Sequence, residues 1–243
     1  MDLSDFQIFT LPVTAYAQNC RMIISKTEQK AVVIDPGAEA QGIYDFAREK
    51  GADICAVLLT HGHLDHAGAA AALSKLCNVT VTGPAIGDAD MIRNIGRQSA
   101  LLGLPPCDSF SPSYVKDGDV IHLFADPQYD FHVLATPGHT EGSVCYLWAD
   151  YLFSGDTLFN LSVGRCDLPG GDERKLRASL SRLKELDDAV KLCPGHGPDS
   201  NMGFEKRNNY GDQAKRQRSH FVIRRRKPCQ FSFNLGPNVE GVL

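Results

Sequence analysis

The run His61-Gly62-His63-Leu64-Asp65-His66 constrains this chain more than any other feature. It packs three histidines and one aspartate into six positions, while the whole chain holds eight histidines. In an extended segment, residues two apart project to the same side, so His61 and His63 can hold one cation together. The alanine-rich stretch that follows favours helix. Where the chain turns into it, Asp65 and His66 point to a neighbouring volume. One metal is thereby given two imidazoles, and a second a carboxylate and an imidazole. Borderline cations such as zinc accept that mixture of nitrogen and oxygen.

Three further candidate ligands stand where expected strands run into small-residue turns. His139 follows strand 132–136 in Thr136-Pro137-Gly138-His139. Asp156 follows strand 152–154 in Ser154-Gly155-Asp156, and His196 follows strand 189–193 in Cys193-Pro194-Gly195-His196-Gly197. A single histidine in such a turn is more often an ordinary polar loop residue. The combined set reads differently, because ligands arriving from strand ends in distant loops suit a site at one edge of a sheet. His122 and His132 lie in expected strands and read as structural; His220 carries no signal.

Runs rich in Val, Ile, Leu and Phe predict further strands over 6–11, 20–25, 31–34, 56–60, 79–82, 120–124 and 143–148. Helices are predicted over 38–50, 66–77, 88–102 and 172–186, the last with a stripe of Leu176, Leu180, Leu183 and Leu186. Asp35-Pro36-Gly37 and Asp117-Gly118-Asp119 read as turns. Strands with interspersed helices predict an α/β layered domain. At 243 residues and 43% hydrophobic, the chain can bury a sizeable core. Its net charge of −4 gives no reason to expect a nucleic-acid partner. Eight cysteines without a CxxC pair, mostly in apolar runs, predict free buried thiols and a reducing compartment. The acidic start lacks a secretory pattern, and no apolar stretch reaches the ~20 residues that span a bilayer, so a cytoplasmic enzyme is expected. Residues 210–243 carry seven basic and two acidic side chains and are expected to form a poorly ordered tail outside a 1–209 domain.

Four segments resemble the metallo-β-lactamase superfamily, and within it the glyoxalase II-like, or hydroxyacylglutathione hydrolase, branch. They are Thr60-His61-Gly62-His63-Leu64-Asp65-His66-Ala67-Gly68, Thr136-Pro137-Gly138-His139-Thr140, Ser154-Gly155-Asp156-Thr157-Leu158-Phe159 and Pro194-Gly195-His196-Gly197-Pro198. The stretches 12–20 and 164–172 look similar to the compact, single-domain bacterial-type members. The resemblance implies an αββα sandwich of two mixed sheets flanked by helices. It assigns His61, His63 and His139 to a first divalent metal, Asp65, His66 and His196 to a second, and Asp156 to both, together with a bridging hydroxide. Zinc is the metal expected, with iron or manganese as alternatives.

The implied reaction is hydrolysis of a thioester such as S-D-lactoylglutathione to a hydroxy acid and a free thiol, within methylglyoxal detoxification. Asp65 is expected to orient the attacking hydroxide. Two-domain glyoxalase II enzymes carry a glutathione-contacting lysine nine positions after the equivalent of Asp156. Here that position is Arg165, which either pairs with a substrate carboxylate or closes onto an internal acid such as Asp167. Those enzymes also add a long helical domain, for which the 47 residues after His196 are too few. The alternatives within the superfamily are a persulfide dioxygenase, with one iron on His61, His139 and Asp156, and a lactonase using the same dinuclear set.

Overall fold

The computed structural model describes residues 2–101 and 104–209; the expected tail and His220 lie outside them. The first half of the chain is β1 (Phe6–Val13), β2 (Gln18–Ser25), β3 (Lys30–Ile34), α1 (Ala40–Glu49), β4 (Asp53–Leu58), α2 (Leu64–Ala67), α3 (Ala70–Cys77), β5 (Val81–Ala85), α4 (Ala89–Arg93), α5 (Ile95–Leu101) and β6 (Ser113–Val115). The second half is β7 (Val120–Ile121), β8 (Phe131–Ala135), β9 (Val144–Trp148), β10 (Tyr151–Gly155), β11 (Leu158–Phe159), β12 (Ser162–Val163), α6 (Glu173–Leu183), β13 (Lys191–Pro194), β14 (Ser200–Asn201) and α7 (Met202–Asn208).

Each half supplies one mixed sheet. The first has the order β1-β2-β3-β4-β5-β6, and the second β14-β13-β10-β9-β8-β7. Period-2 alternation explains how the sheets stack. On β2 and β3, Ile23, Val32 and Ile34 enter a core shared with Phe131, Val133, Tyr146, Trp148 and Phe153 of the second sheet. Their neighbours Met22, Ile24, Ala31 and Val33 face the other way, onto Ile43 and Ala47 of α1 and Leu73 of α3. Leu152 and Leu192 on the outer face of the second sheet meet Leu183 of α6 and Met202 of α7. The result is the expected αββα sandwich.

Strand direction places the candidate ligands. β3, β4 and β5 run parallel. In the second sheet β10 is parallel to β13, while β9 is antiparallel to both β8 and β10. The C-terminal ends of β8, β10 and β13 therefore share one edge, which is where His139, Asp156 and His196 follow.

The structure departs from the expected elements in several places. The helix predicted over 66–77 is two helices, because Ala69 N–H bonds Pro36 O (2.9 Å) and leaves the helical ladder. The helix predicted over 88–102 likewise breaks, at Asn94 between α4 and α5. The segment 120–124 is a strand only over Val120–Ile121. β6, the β11–β12 hairpin, β14 and α7 were not expected from the sequence. All seven cysteines among the described residues are free. No helix of the described residues is long and apolar enough to cross a membrane.

Candidate metal centre

Two groups of ligand-type side chains meet at this edge. In the first, His63 Nδ1 lies 3.1 Å from His61 Nε2 and 2.9 Å from His139 Nε2. In the second, His196 Nε2 lies 3.3 Å from His66 Nε2 and 3.2 Å from Asp65 Oδ2. Asp156 stands between them. Its Oδ1 is 3.3 Å from His66 Nε2, and its Oδ2 is 3.6 Å from His139 Nε2 and 3.7 Å from His196 Nε2. All seven candidate ligands are thus brought together, from the ends of both sheets.

The donor chemistry fits cations. His63 Nδ1 faces two other ring nitrogens and can share a proton with only one of them. Asp156 Oδ1 is buried and makes no hydrogen bond. Gly195 completes a tight cradle, since a Cβ there would sit 2.4 Å from Asp156 Oδ1 and 2.5 Å from His66 Cε1. Burial, then the nearby His139, pushes His63 down to about 4. Burial and the surrounding imidazoles push His61 well below its ordinary value. Both rings are therefore neutral at neutral pH, the form that binds metal. In Asp65 and Asp156 burial acts to raise the pKa, but the adjacent histidines outweigh it and hold both carboxyls below their ordinary value.

The far sides of the His61, His66 and His139 rings are committed as well. His66 Nδ1 is 2.9 Å from Asp35 Oδ2, and Asp35 also accepts from Thr60 N (2.7 Å) and Thr60 Oγ1 (2.6 Å). Because Thr60 donates its hydroxyl proton to Asp35, its oxygen accepts from His61 Nδ1 at 3.1 Å. His139 Nδ1 donates to Arg165 O at 2.7 Å. These partners fix the tautomers that leave the Nε2 atoms free for the centre.

On β2, Asn19 Nδ2 donates to Pro194 O (3.1 Å) and Gly197 O (2.9 Å), bracketing His196. Arg21, buried beside it, donates to Pro194 O (3.1 Å) and pairs with Asp199 (2.5 Å). The Arg165 guanidinium makes two 2.7 Å bonds to Asp167, both side chains exposed. His122 pairs with Asp130 (2.7 Å) and takes no part in the centre.

Asp35, Asn19 and Arg21 were not singled out by sequence reasoning. Asp35 had one available signal, its place at the end of a strand parallel to and beside β4. Asn19 and Arg21 offered polarity inside a strand that is buried along its whole length.

Comparison with known proteins agrees with the fold. The profile of the Metallo-beta-lactamase superfamily matches residues 13–196. Hydroxyacylglutathione hydrolase GloC of Haemophilus influenzae is 36% identical over 204 residues, covering 82% of this chain and 94% of that protein. The crystal structure of TTHA1623 in a di-iron-bound form superposes with a TM-score of 0.73 at 33% identity, over 83% of this chain and 98% of that one. The structure of ETHE1 from Myxococcus xanthus gives 0.70 at 29% identity, over 84% and 83%. Sandwich, shared edge and matched segment together make this chain a member of the metallo-β-lactamase superfamily.

Proposed function

We propose that the chain is a metal-dependent thioester hydrolase, cleaving a substrate such as S-D-lactoylglutathione to a hydroxy acid and a free thiol. The observation that carries the hydrolytic reading is Asp156 lying between two three-residue clusters. His61, His63 and His139 would hold one cation, Asp65, His66 and His196 the other, and Asp156 both. Zinc is the proposed metal on the nitrogen-rich donor set, with iron as the alternative that the di-iron form of TTHA1623 supports. When bound, such cations supply Lewis acidity, lowering the pKa of water from 15.7 to about 7 and polarising an acyl oxygen.

The chain's own residues do the positioning. Asp65 Oδ2 faces His196 Nε2, which leaves Oδ1 to hold a proton of the attacking water. The leaving thiolate needs no strong general acid, because a thiol pKa is about 8.5. The thioester class itself draws support from the named activity of the Haemophilus influenzae relative. The test is hydrolysis of S-D-lactoylglutathione by wild type and Asp65→Ala. The variant should lose about 10²–10⁴ in rate; equal rates would sink the mechanism.

The likeness to ETHE1 favours one other reading, a persulfide dioxygenase with iron on His61, His139 and Asp156. That chemistry does not use His196. Oxygen uptake on glutathione persulfide that survives His196→Ala, without thioester hydrolysis by the wild type, would replace the first reading with the second.

A further inference from the structure

We infer that Asp88 is a positioning residue that ties together the two loops supplying His61, His63 and His139, so that it governs the first cluster and not the second. The inference rests on the two-cation reading above. Asp88 ends the short turn between β5 and α4 and is 1% exposed. Its Oδ2 accepts from Gly62 N at 2.8 Å, the amide between His61 and His63. The same oxygen accepts from Thr140 Oγ1 at 2.8 Å, and Oδ1 accepts from Gly142 N at 2.7 Å. Thr140 and Gly142 belong to the loop that carries His139.

One carboxylate therefore spans the two loops with three hydrogen bonds, and it touches no candidate ligand side chain. The approach is close. A Cβ on Gly142 would lie 2.6 Å from Asp88 Cγ and 2.6 Å from Asp88 N. Ala85 N donates to Gly142 O at 2.9 Å and anchors the same contact. Both carboxylate oxygens receive donors, and bonds to an ionised acceptor are roughly twice as strong as neutral ones. The second cluster has separate supports: Asp35 on His66, and Asn19 with Arg21 on the His196 loop. Disturbing Asp88 should therefore divide the two metal positions.

Asp88→Asn keeps the shape but turns one oxygen into an NH2 group, which then points a donor at a donor. Thr140→Val removes one bond of the three. Zinc-loaded protein is titrated with chelator and the equivalents released are counted, with His63→Ala and His196→Ala identifying which cluster each comes from. In Asp88→Asn the first-cluster equivalent should leave at about tenfold lower chelator, the lower end of the effect of removing an outer partner. The second should not move. Thr140→Val should shift the first equivalent the same way by less, and it decides the question if Asp88→Asn fails to fold by circular dichroism. Equal weakening of both equivalents, or an unmoved first equivalent, in a folded variant overturns the role given to Asp88 alone. Release of fewer than two equivalents by the wild type overturns the two-cation reading and this inference with it.

Discussion

Arg165 serves the centre with its main chain and leaves its side chain to other work. Its carbonyl oxygen orients His139, while its guanidinium lies on Asp167 and holds that carboxyl down to about 2. If Arg165 binds a substrate carboxylate, as the resemblance implies, it would do so by sharing its guanidinium with Asp167. Arg165→Ala should therefore raise KM about tenfold, the scale of one charge-assisted hydrogen bond, with kcat and metal content unchanged. Steady-state kinetics and metal analysis check this, and an unchanged KM would leave Arg165 as a loop brace only. The seven candidate ligands were legible because four of them fall in six consecutive positions and the other three follow strands. Asp35 and Asp88 were not. Each is a single aspartate beside a turn, and nothing local in the sequence separates a buried anchor from a solvated turn residue.

The elements that escaped sequence reading are the shortest ones. Two-residue strands such as β11, β12 and β14 carry no period to detect. Long elements were legible: Leu180, Leu183 and Leu186 of the predicted stripe meet the second sheet as expected. Helix breaks were not, because Ala69 leaves its helix for a carbonyl on a distant loop. Glu205 on α7 shows what the short elements do. It is 2% exposed, accepts from Leu161 N (2.9 Å) and Asn209 Nδ2 (2.8 Å), and also bonds Ser200 Oγ. Asn209 in turn donates to Phe159 O and Ser162 O, so α7 pins the hairpin whose Phe159 ring stands edge-on to His196. Glu205→Ala leaves these donors without their buried acceptor and should cost about 1–3 kcal/mol in urea unfolding. A loss under about 0.5 kcal/mol, the range of ordinary surface changes, would show that the hairpin holds without it.

At the scale of the whole molecule, three buried thiols sit in or beside the apolar layers. Burial pushes Cys145 up to about 11 and Cys193 up to about 12, and it raises Cys20 as well. The fold favours the neutral thiol, so this contribution to stability is complete below the ordinary thiol value. It is lost as pH rises through the folded values, because unfolded thiols ionise first. Urea midpoints should fall between about pH 9 and 11, and Cys145→Ala/Cys193→Ala should lessen that slope relative to wild type. An identical slope in the double variant would assign the alkaline loss to other groups. The layered α/β class was legible from composition and alternation. How the two sheets meet was not, since no local pattern encodes which strand ends will converge.

That convergence bears on how the protein is made. Synthesis runs from the N-terminus, and domains generally fold as they emerge. All three residues of the first cluster have been made once His139 is added, whereas the second waits for His196 near the close of the domain. The strand that receives the His196 loop, β2, precedes both clusters in the chain. On the two-cation reading, loading of the second cation therefore comes later in synthesis than loading of the first, and a nascent chain that has emerged past Asp156 but not as far as His196 would be able to assemble one metal position and not the other.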